Sequence, residues 1–325
     1  MSVPPPGTAR AAERPLVVGV VTYQSAGVLP GLLESLPAAL SDVDGARLVV
    51  ADNGSTDATR ELLGSLAPAA QLIDLGGNLG YAAGINACAA VDPTADVLVL
   101  NPDVRLTPGG VARLRAAVAA DRRVGIAVPL LRGADGALAH SLRRRPTVLR
   151  ALGEAVLGGA AARLPALSEV VSDPAAYAEP TVADWATGAA MLVTRDCLDA
   201  TGRWDESYFL YSEETDFALR ARDCGFLTRL VPAAEAVHVG GESHVSPRLW
   251  SLLVTNKVRL YARRAGRPRA GAFWAAVVAG EALRAVARRG GDTHRAALRA
   301  LRRHRAALIR GEPAVREAWA GGTNR

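Results

Sequence analysis

The sequence predicts an α/β fold on a mainly parallel sheet with helices on both faces. Short apolar, β-branched runs recur over residues 16–100, and a stretch with helical periodicity follows each one. Turn residues and carboxylates then gather where the runs end. Such alternation builds strand–helix–strand units, and strands covered on both faces read as unbroken apolar runs.

Leu16–Thr22 is the first expected strand, and Leu29, Leu32, Leu33, Leu36 and Leu40 follow at helical spacing. Arg47–Asp52 is the second, leading into a helix over Ala58–Leu66. Gln71–Leu75 is the third, followed by a small-residue helix over Gly80–Ala90. Val97–Leu100 is the fourth, and Pro108 opens a helix that runs through Ala119. These residues read as a nucleotide-binding half, because ligands of such sheets collect at the carboxyl ends of the strands. Farther on, strands are expected over Val124–Leu131 and Thr187–Thr194, with residues 143–173 rich in loop and helix. A helix over Phe217–Asp223 and strands over Leu227–Val231 and Ala236–Val239 close this part. From Leu249 the pattern is helical, with breaks near Gly266-Arg-Pro268 and Gly290-Gly291, and there is no internal repeat.

Three segments are expected: a disordered start over 1–14, a catalytic domain over 15–245, and a basic helical extension over 246–325. Met1 to Arg14 is Pro/Ala-rich and has no apolar core of a signal peptide. Cys88, Cys197 and Cys224 are too scattered for a disulfide framework or a zinc site, which fits a reducing cytosolic compartment. The net charge of +6 is unevenly divided. Residues 246–325 carry 18 Lys and Arg against 4 Asp and Glu, while residues 1–245 carry 20 against 28. Such a tail favours an anionic partner, lipid headgroups or nucleic acid, unless it is simply a solvated helical surface. Its arginines have few aromatic residues among them, so lipid is favoured and no nucleic acid is expected. Ala270–Gly280 is too short to span a bilayer. With Phe273, Trp274 and flanking arginines it fits a helix lying on a membrane as well as one packed on the main domain. A cytoplasmic protein, peripheral on the inner face of the cell membrane, is the expectation.

Four clusters carry chemistry. Asp52-Asn53-Gly-Ser-Thr-Asp57 ends a strand; it reads as a turn with Asp57 capping the next helix, and Asp52 is also placed to accept the N3–H of a pyrimidine. Gly76-Gly-Asn78-Leu-Gly80 opens a helix and can bring N–H groups to a phosphate, although it matches neither a phosphate loop nor the dinucleotide fingerprint. Asn101-Pro-Asp103 offers one carboxylate to Mg²⁺ or Mn²⁺, or caps a turn. Glu213-Glu214-Thr-Asp216 lies between Tyr208, Phe209, Tyr211 and Phe217. Neighbouring charge and an apolar lining raise carboxyl pKa values there and suit a general base, although acids also favour the first turn of a helix. His238 ends a Val-rich strand, with His244 nearby.

Taken in order, these motifs resemble glycosyltransferase family 2, inverting enzymes of GT-A fold, and within it the bacterial rhamnosyltransferases that act on lipid-linked N-acetylglucosamine. The resemblance spans about Leu16 to Pro247 and rests on Val21-Thr-Tyr23, Ala51–Asp57, Asn78-Leu-Gly-Tyr81, Leu100–Val104, Thr187–Leu192, Trp204-Asp-Glu206, Tyr208–Tyr211, Glu213–Asp216, Val237-His238 and Glu242–Pro247. It implies that Thr22, Tyr23 and Asp52, with Asn53, Asp57, Asn78 and Gly80 nearby, bind the nucleotide. By the same resemblance Asp103 and His238 hold Mg²⁺ or Mn²⁺. Glu214 becomes the base, Glu213 its partner, and Asp216 the group that positions the acceptor. Trp185 and Trp204 either stack on sugars or pack in the core. The implied donor is a nucleotide sugar, dTDP-L-rhamnose, and the implied acceptor a lipid-linked glycan. Two departures stand out: the metal motif carries a single carboxylate, and the base is Glu where Asp is usual.

Overall fold

In the first strand, β1 (Leu16–Thr22), all seven residues are buried. Side chains alternate across a strand, so Leu16, Val18 and Val20 enter one apolar core while Val17 and Val21 enter another on the opposite face. An unbroken apolar run is what such double burial requires. The computed structural model describes residues 14–240, 246–287 and 291–314. The expected disordered start (apart from Arg14) and the segment 241–245, with His244, lie outside the described residues.

The chain continues through α1 (Leu29–Ala39), β2 (Ala46–Asp52), α2 (Thr59–Leu66), β3 (Gln71–Asp74), α3 (Tyr81–Ala89) and β4 (Asp96–Leu100). Next come β5 (Val104–Leu106), α4 (Gly110–Ala120), β6 (Val124–Gly133), β7 (Leu142–Arg143) and α5 (Val148–Leu157). After α6 (Ala175–Ala178) follow β8 (Val182–Ala183), β9 (Trp185–Ala186), β10 (Ala190–Val193), α7 (Arg195–Thr201), α8 (Glu213–Asp223) and β11 (Leu227–His238). The described chain closes with α9 (Pro247–Ala265), α10 (Arg267–Val286), α11 (Gly291–Arg303) and α12 (Arg305–Ile309).

The main sheet runs β3-β2-β1-β4-β10-β6-β11-β5, with β8 added on β11, and β7 pairs β9 in a separate ribbon. β1 to β4 are mutually parallel, as are β6 and β11. β10 departs from the parallel pattern: it lies antiparallel between β4 and β6 and joins the two halves. Strand order reverses between β1 and β4, and that switch point opens a crevice at their carboxyl ends. The two strands expected near the end of the sheet are one, β11, whose register shifts between Val231 and Glu235. Pro232 lies in that gap, where its missing N–H costs no ladder bond.

The helical C-terminal region packs onto the sheet-bearing body through its own apolar core of Ala151, Val254, Val258, Phe273, Ala276, Ala297, Leu301 and Leu308. Phe273 is fully buried and stacks on Tyr261 at 4.1 Å, and Trp274 Nε1 donates to Leu301 O at 3.0 Å. These two aromatics therefore face α9 and α11, so that side of the helix packs within the fold. Among the described residues no helix is long and apolar enough to cross a membrane. All three cysteines are free.

Candidate active site

The loops after β1 and β2 are locked together by side chains. Thr22 Oγ1 and Ser55 Oγ donate to Asp52 Oδ1 at 2.8 and 2.6 Å, while Ser55 N and Arg60 Nε donate to Oδ2 at 2.9 and 2.7 Å. A carboxylate has about four lone-pair sites, and here all are filled. Burial alone would push this carboxyl pKa up, but the hydrogen bonds from Ser55, Arg60 and Thr22 hold it below the ordinary value. Asp52 is fully buried, so a base N–H could reach it only by displacing a donor already present. Its direct role in the geometry is to hold the loop. Asp57 does similar work, accepting from Ala26 N at 3.0 Å and from Thr59 N and Oγ1 at 3.1 and 2.5 Å.

Asn53, also buried, accepts from Leu79 N at 2.9 Å and donates to Gly80 O at 3.4 Å, which pins the glycine-rich turn to the end of β2. Asn78 Oδ1 accepts from Gly80 N at 3.2 Å. Gly80 has φ of +92°, and a β-carbon there would lie 2.3 Å from Phe209 O. Only glycine fits this position. The contact matters because Tyr81 N donates to the same Phe209 O at 2.8 Å, joining α3 to the loop before α8. Tyr23 lies half-buried at the mouth of the crevice.

Past β4 the chain turns at Asn101-Pro-Asp103 into β5. That short strand pairs antiparallel with β11 so that His238 lies opposite Val104. This register brings His238 Nε2 to 3.2 Å from Asp103 Oδ2. Asp103 Oδ1 is buried and has no hydrogen-bond partner among the described residues. Burial would raise the Asp103 pKa, but the hydrogen bond and charge of His238 hold it below the ordinary value. An ionised carboxylate with an idle buried oxygen beside an imidazole suits a divalent cation whose other ligands come from phosphates. No cluster of three or more His, Cys, Asp or Glu forms among the described residues, which bring Asp103 and His238 together here.

The acidic cluster forms the first turn of α8, four residues earlier than the expected helix start. Glu213 is fully buried and Glu214 half-buried, and burial pushes both carboxyl pKa values up, Glu213 well up with the charge of Glu214 adding to it. Glu213 Oε2 has no hydrogen-bond partner among the described residues. Glu214 is the nearer of the two to solvent and feels the charge of Arg143. Asp216, one turn on from Glu213, is buried and accepts from Arg220 Nε at 2.7 Å, and Arg220 itself reaches Thr201 O and Arg203 O. That pair braces the loop behind α8. Trp204 likewise packs in the core, stacked on Phe217 at 4.4 Å, whereas Trp185 stays partly open below Arg143.

Three further groups complete the site. Tyr81 is surrounded by the acids: burial and then the charges of Glu213, Glu214 and Asp103 push its pKa well up, and its hydroxyl donates to Gly188 O at 3.1 Å. Gln24 clamps the donor loop, accepting from Thr56 N and Asp57 N at 3.0 and 3.1 Å. Asn256, on α9, spreads the two hydrogens of its amide over Tyr208 O, Leu210 O and Tyr211 O at 2.8, 3.0 and 3.2 Å. That loop needs support, because Phe209, Tyr211 and Ser212 all have positive φ, at about 1 kcal/mol or more each. The Asn78-Leu-Gly-Tyr motif gave a signal for Tyr81. Nothing in the sequence marks Asn256, a polar residue inside a helical run.

With this geometry in place, comparison with known proteins is direct. The Glycosyl transferase family 2 profile matches residues 17–161. A Mycobacterium tuberculosis N-acetylglucosaminyl-diphospho-decaprenol L-rhamnosyltransferase is 34% identical over 234 residues, covering 69% of this chain and 75% of its own. The Escherichia coli rhamnosyltransferase WbbL is 29% identical over 143 residues, covering 44% of this chain and 51% of its own. In structure, GalNAc-T7 with UDP, GalNAc and Mn²⁺ superposes with a TM-score of 0.55 at 15% identity, over 76% of this chain and 47% of that one. Staphylococcus aureus TarS 1–349 with UDP gives 0.50 at 15% identity, over 92% of both chains. The α/β sheet, its switch-point crevice and its helical C-terminal region are those of a GT-A-like fold, and the chain belongs to glycosyltransferase family 2.

Proposed function

We propose that this glycosyltransferase is an inverting enzyme that moves L-rhamnose from dTDP-L-rhamnose to a hydroxyl of polyprenyl-diphosphate-linked N-acetylglucosamine. The observation that carries the chemistry is half-buried Glu214 beside buried Glu213, both close enough to Tyr81 that their charges, with that of Asp103, raise its pKa, and Asp103 paired with His238. Glu214 takes the proton of the attacking hydroxyl. The new O–C1 bond forms on the face opposite the diphosphate, and the old C1–O bond breaks with its electron pair on the departing nucleoside diphosphate. Asp103 and His238 would hold Mg²⁺ or Mn²⁺, whose charge stabilises that leaving group. Thr22, Tyr23, Asn53, Asn78 and Gly80 frame the nucleotide pocket, with Asp52 and Asp57 holding its loops. The rhamnose donor and the lipid acceptor rest on the activity named for the mycobacterial relative.

The test is incubation of the purified chain and lipid-linked N-acetylglucosamine with a panel of nucleotide sugars, read by mass spectrometry. A deoxyhexose increment from dTDP-L-rhamnose alone supports the reading, whereas an increment from another donor replaces the sugar and keeps the chemistry. Glu214→Gln is expected to lower kcat by about 10²–10⁴-fold, with nucleotide affinity kept; near-normal turnover would remove Glu214 from the base role.

A further inference from the structure

Between the β7–β9 ribbon and the helical C-terminal region lies a surface that the chemistry above leaves unused. Ala151 and Ala155 turn inward and Gly153 is covered by Leu167, while Leu149, Leu152, Val156 and Leu157 of α5 are exposed, as is Leu164 after the helix. Val156 is 72% exposed. α10 extends the patch, since Gly280 packs on Ala155 and Arg284 reaches Glu154 O at 3.3 Å. Leu283 and Val286, the latter 80% exposed, therefore emerge beside the end of α5.

The segment that carries this face is net basic. Residues 143–167 contain five arginines and a single carboxylate, Glu154, which is turned inward onto Lys257 at 3.2 Å. Arg145 and Arg163 are exposed on the same segment as the apolar row. Arg145 lies close enough to Arg150 for the two guanidiniums to repel. An apolar stripe with exposed Arg145 and Arg163 beside it complements an anionic lipid surface, with hydrocarbon below and phosphate at headgroup level.

The surface is joined to the chemistry. Arg143 pairs in register with Trp185, and its charge is felt by Glu214. Four residues, Arg144 to Thr147, separate Arg143 from the start of α5, at most about 18 Å of chain. A lipid-linked acceptor has the same sequence of parts: a hydroxyl for the base, a diphosphate, then hydrocarbon.

We propose that the exposed face of α5, with Leu283 and Val286, docks on the anionic membrane that carries the acceptor, and that Arg145 faces the phosphates at its surface. The orientation rests on the lipid-acceptor reading above. It places membrane contact on the 145–164 segment, while the aromatic face of α10 stays inside the fold.

Cosedimentation of the full chain with vesicles of phosphatidylcholine, with and without phosphatidylglycerol, tests it. Leu152→Asp/Val156→Asp is expected to weaken binding to the anionic vesicles by about ten-fold or more, with an unchanged melting temperature because both positions are solvated. Arg145→Glu should weaken anionic binding about five-fold and leave the weak neutral binding alone. Leu66→Asp, which removes an equally exposed leucine from α2, should change neither. A wild-type chain that ignores both vesicles, a double variant that binds like wild type, or a Leu66→Asp loss equal to that of the double variant would overturn the proposal. So would a dimer in solution that the double variant dissociates, since a second copy would then own the face. Turnover of a short-chain, water-soluble acceptor separates the two readings: the double variant should keep it, whereas no turnover by wild type indicts the reaction and leaves the vesicle result standing.

Discussion

At the scale of single residues, the site turns on two adjacent carboxyls that burial treats differently. Glu213 is sealed in the protein with an idle oxygen, so ionising it in the fold is costly, whereas Glu214 shares solvent and the charge of Arg143. The sign of the pH dependence follows. A carboxyl whose folded pKa lies above its unfolded value contributes stability that is fully present below the unfolded pKa and is lost as pH climbs towards the folded one. Glu213→Gln removes that titration while keeping the shape. It is expected to raise the melting temperature near pH 8 and to change it little near pH 4, about the unfolded carboxyl range. Burial raises the Glu214 pKa with no contribution from a charge on Glu213, so the acid limb of kcat/KM should stay in place in this variant. A limb that moves to lower pH would mean that Glu213 carries charge in the working enzyme.

At the scale of elements, the acid loop is held from two sides that are far apart in sequence. Tyr81 N, at the start of α3, takes Phe209 O, and Asn256 on α9 takes the three flanking carbonyls. Arg259 adds a stack at 4.3 Å over the Tyr208 ring and a bond to Ser207 O at 2.9 Å. Asn256→Ala leaves buried carbonyls without donors and should cost about 1–3 kcal/mol of stability. The sharper comparison is Asn256→Asp, nearly the same shape but an acceptor facing three acceptors. It should lower kcat by at least about ten-fold and more than alanine does, with the dTDP dissociation constant unchanged; an aspartate variant as active as wild type would mean that the loop holds itself. This element also marks the limit of what the sequence discloses. β1 and β4 are legible because each is a doubly buried apolar run, and the turn that carries Asp103 because it follows the end of one of them. β10 is also legible as an apolar run, but its antiparallel direction is not, since direction is set by its partners. Asn256 gives no local signal because its partners are carbonyls 45 to 48 residues upstream.

At the scale of the molecule, the charge asymmetry of the chain finds part of its explanation inside the fold. The basic C-terminal region meets the acidic body ion by ion: Lys257 with Glu154 and Glu169, Arg263 with Asp205, Arg264 with Asp223. Glu169 is buried, and burial pushes its pKa up while Lys257 pulls it down, so removing that lysine strands a carboxyl in the interior. Breaking a buried pair by deleting one partner costs about 3–5 kcal/mol, and the loss of Asn256 and Arg259 would add to it. We therefore expect a division at residue 245 to separate binding from turnover. A chain ending at 245 should still bind dTDP, because the loops of β1, β2 and α3 hold one another through Asp52, Asn53 and Gln24. It should transfer no sugar, because the acid loop has lost its support. A chain ending at 265 keeps α9 and with it Asn256, Lys257 and Arg259, but leaves the apolar faces of α5 and α9 uncovered; it should recover part of the turnover at lower stability. Dissociation constants for dTDP and initial rates on a short-chain acceptor, measured on both truncations and the full chain, distinguish the cases. Equal rates for the 245 truncation and the full chain would make the C-terminal helices an appendage. A graded return of rate with α9 would make them part of the catalytic unit, with the membrane-facing surface of α5 resting on the same helices that hold the base in place.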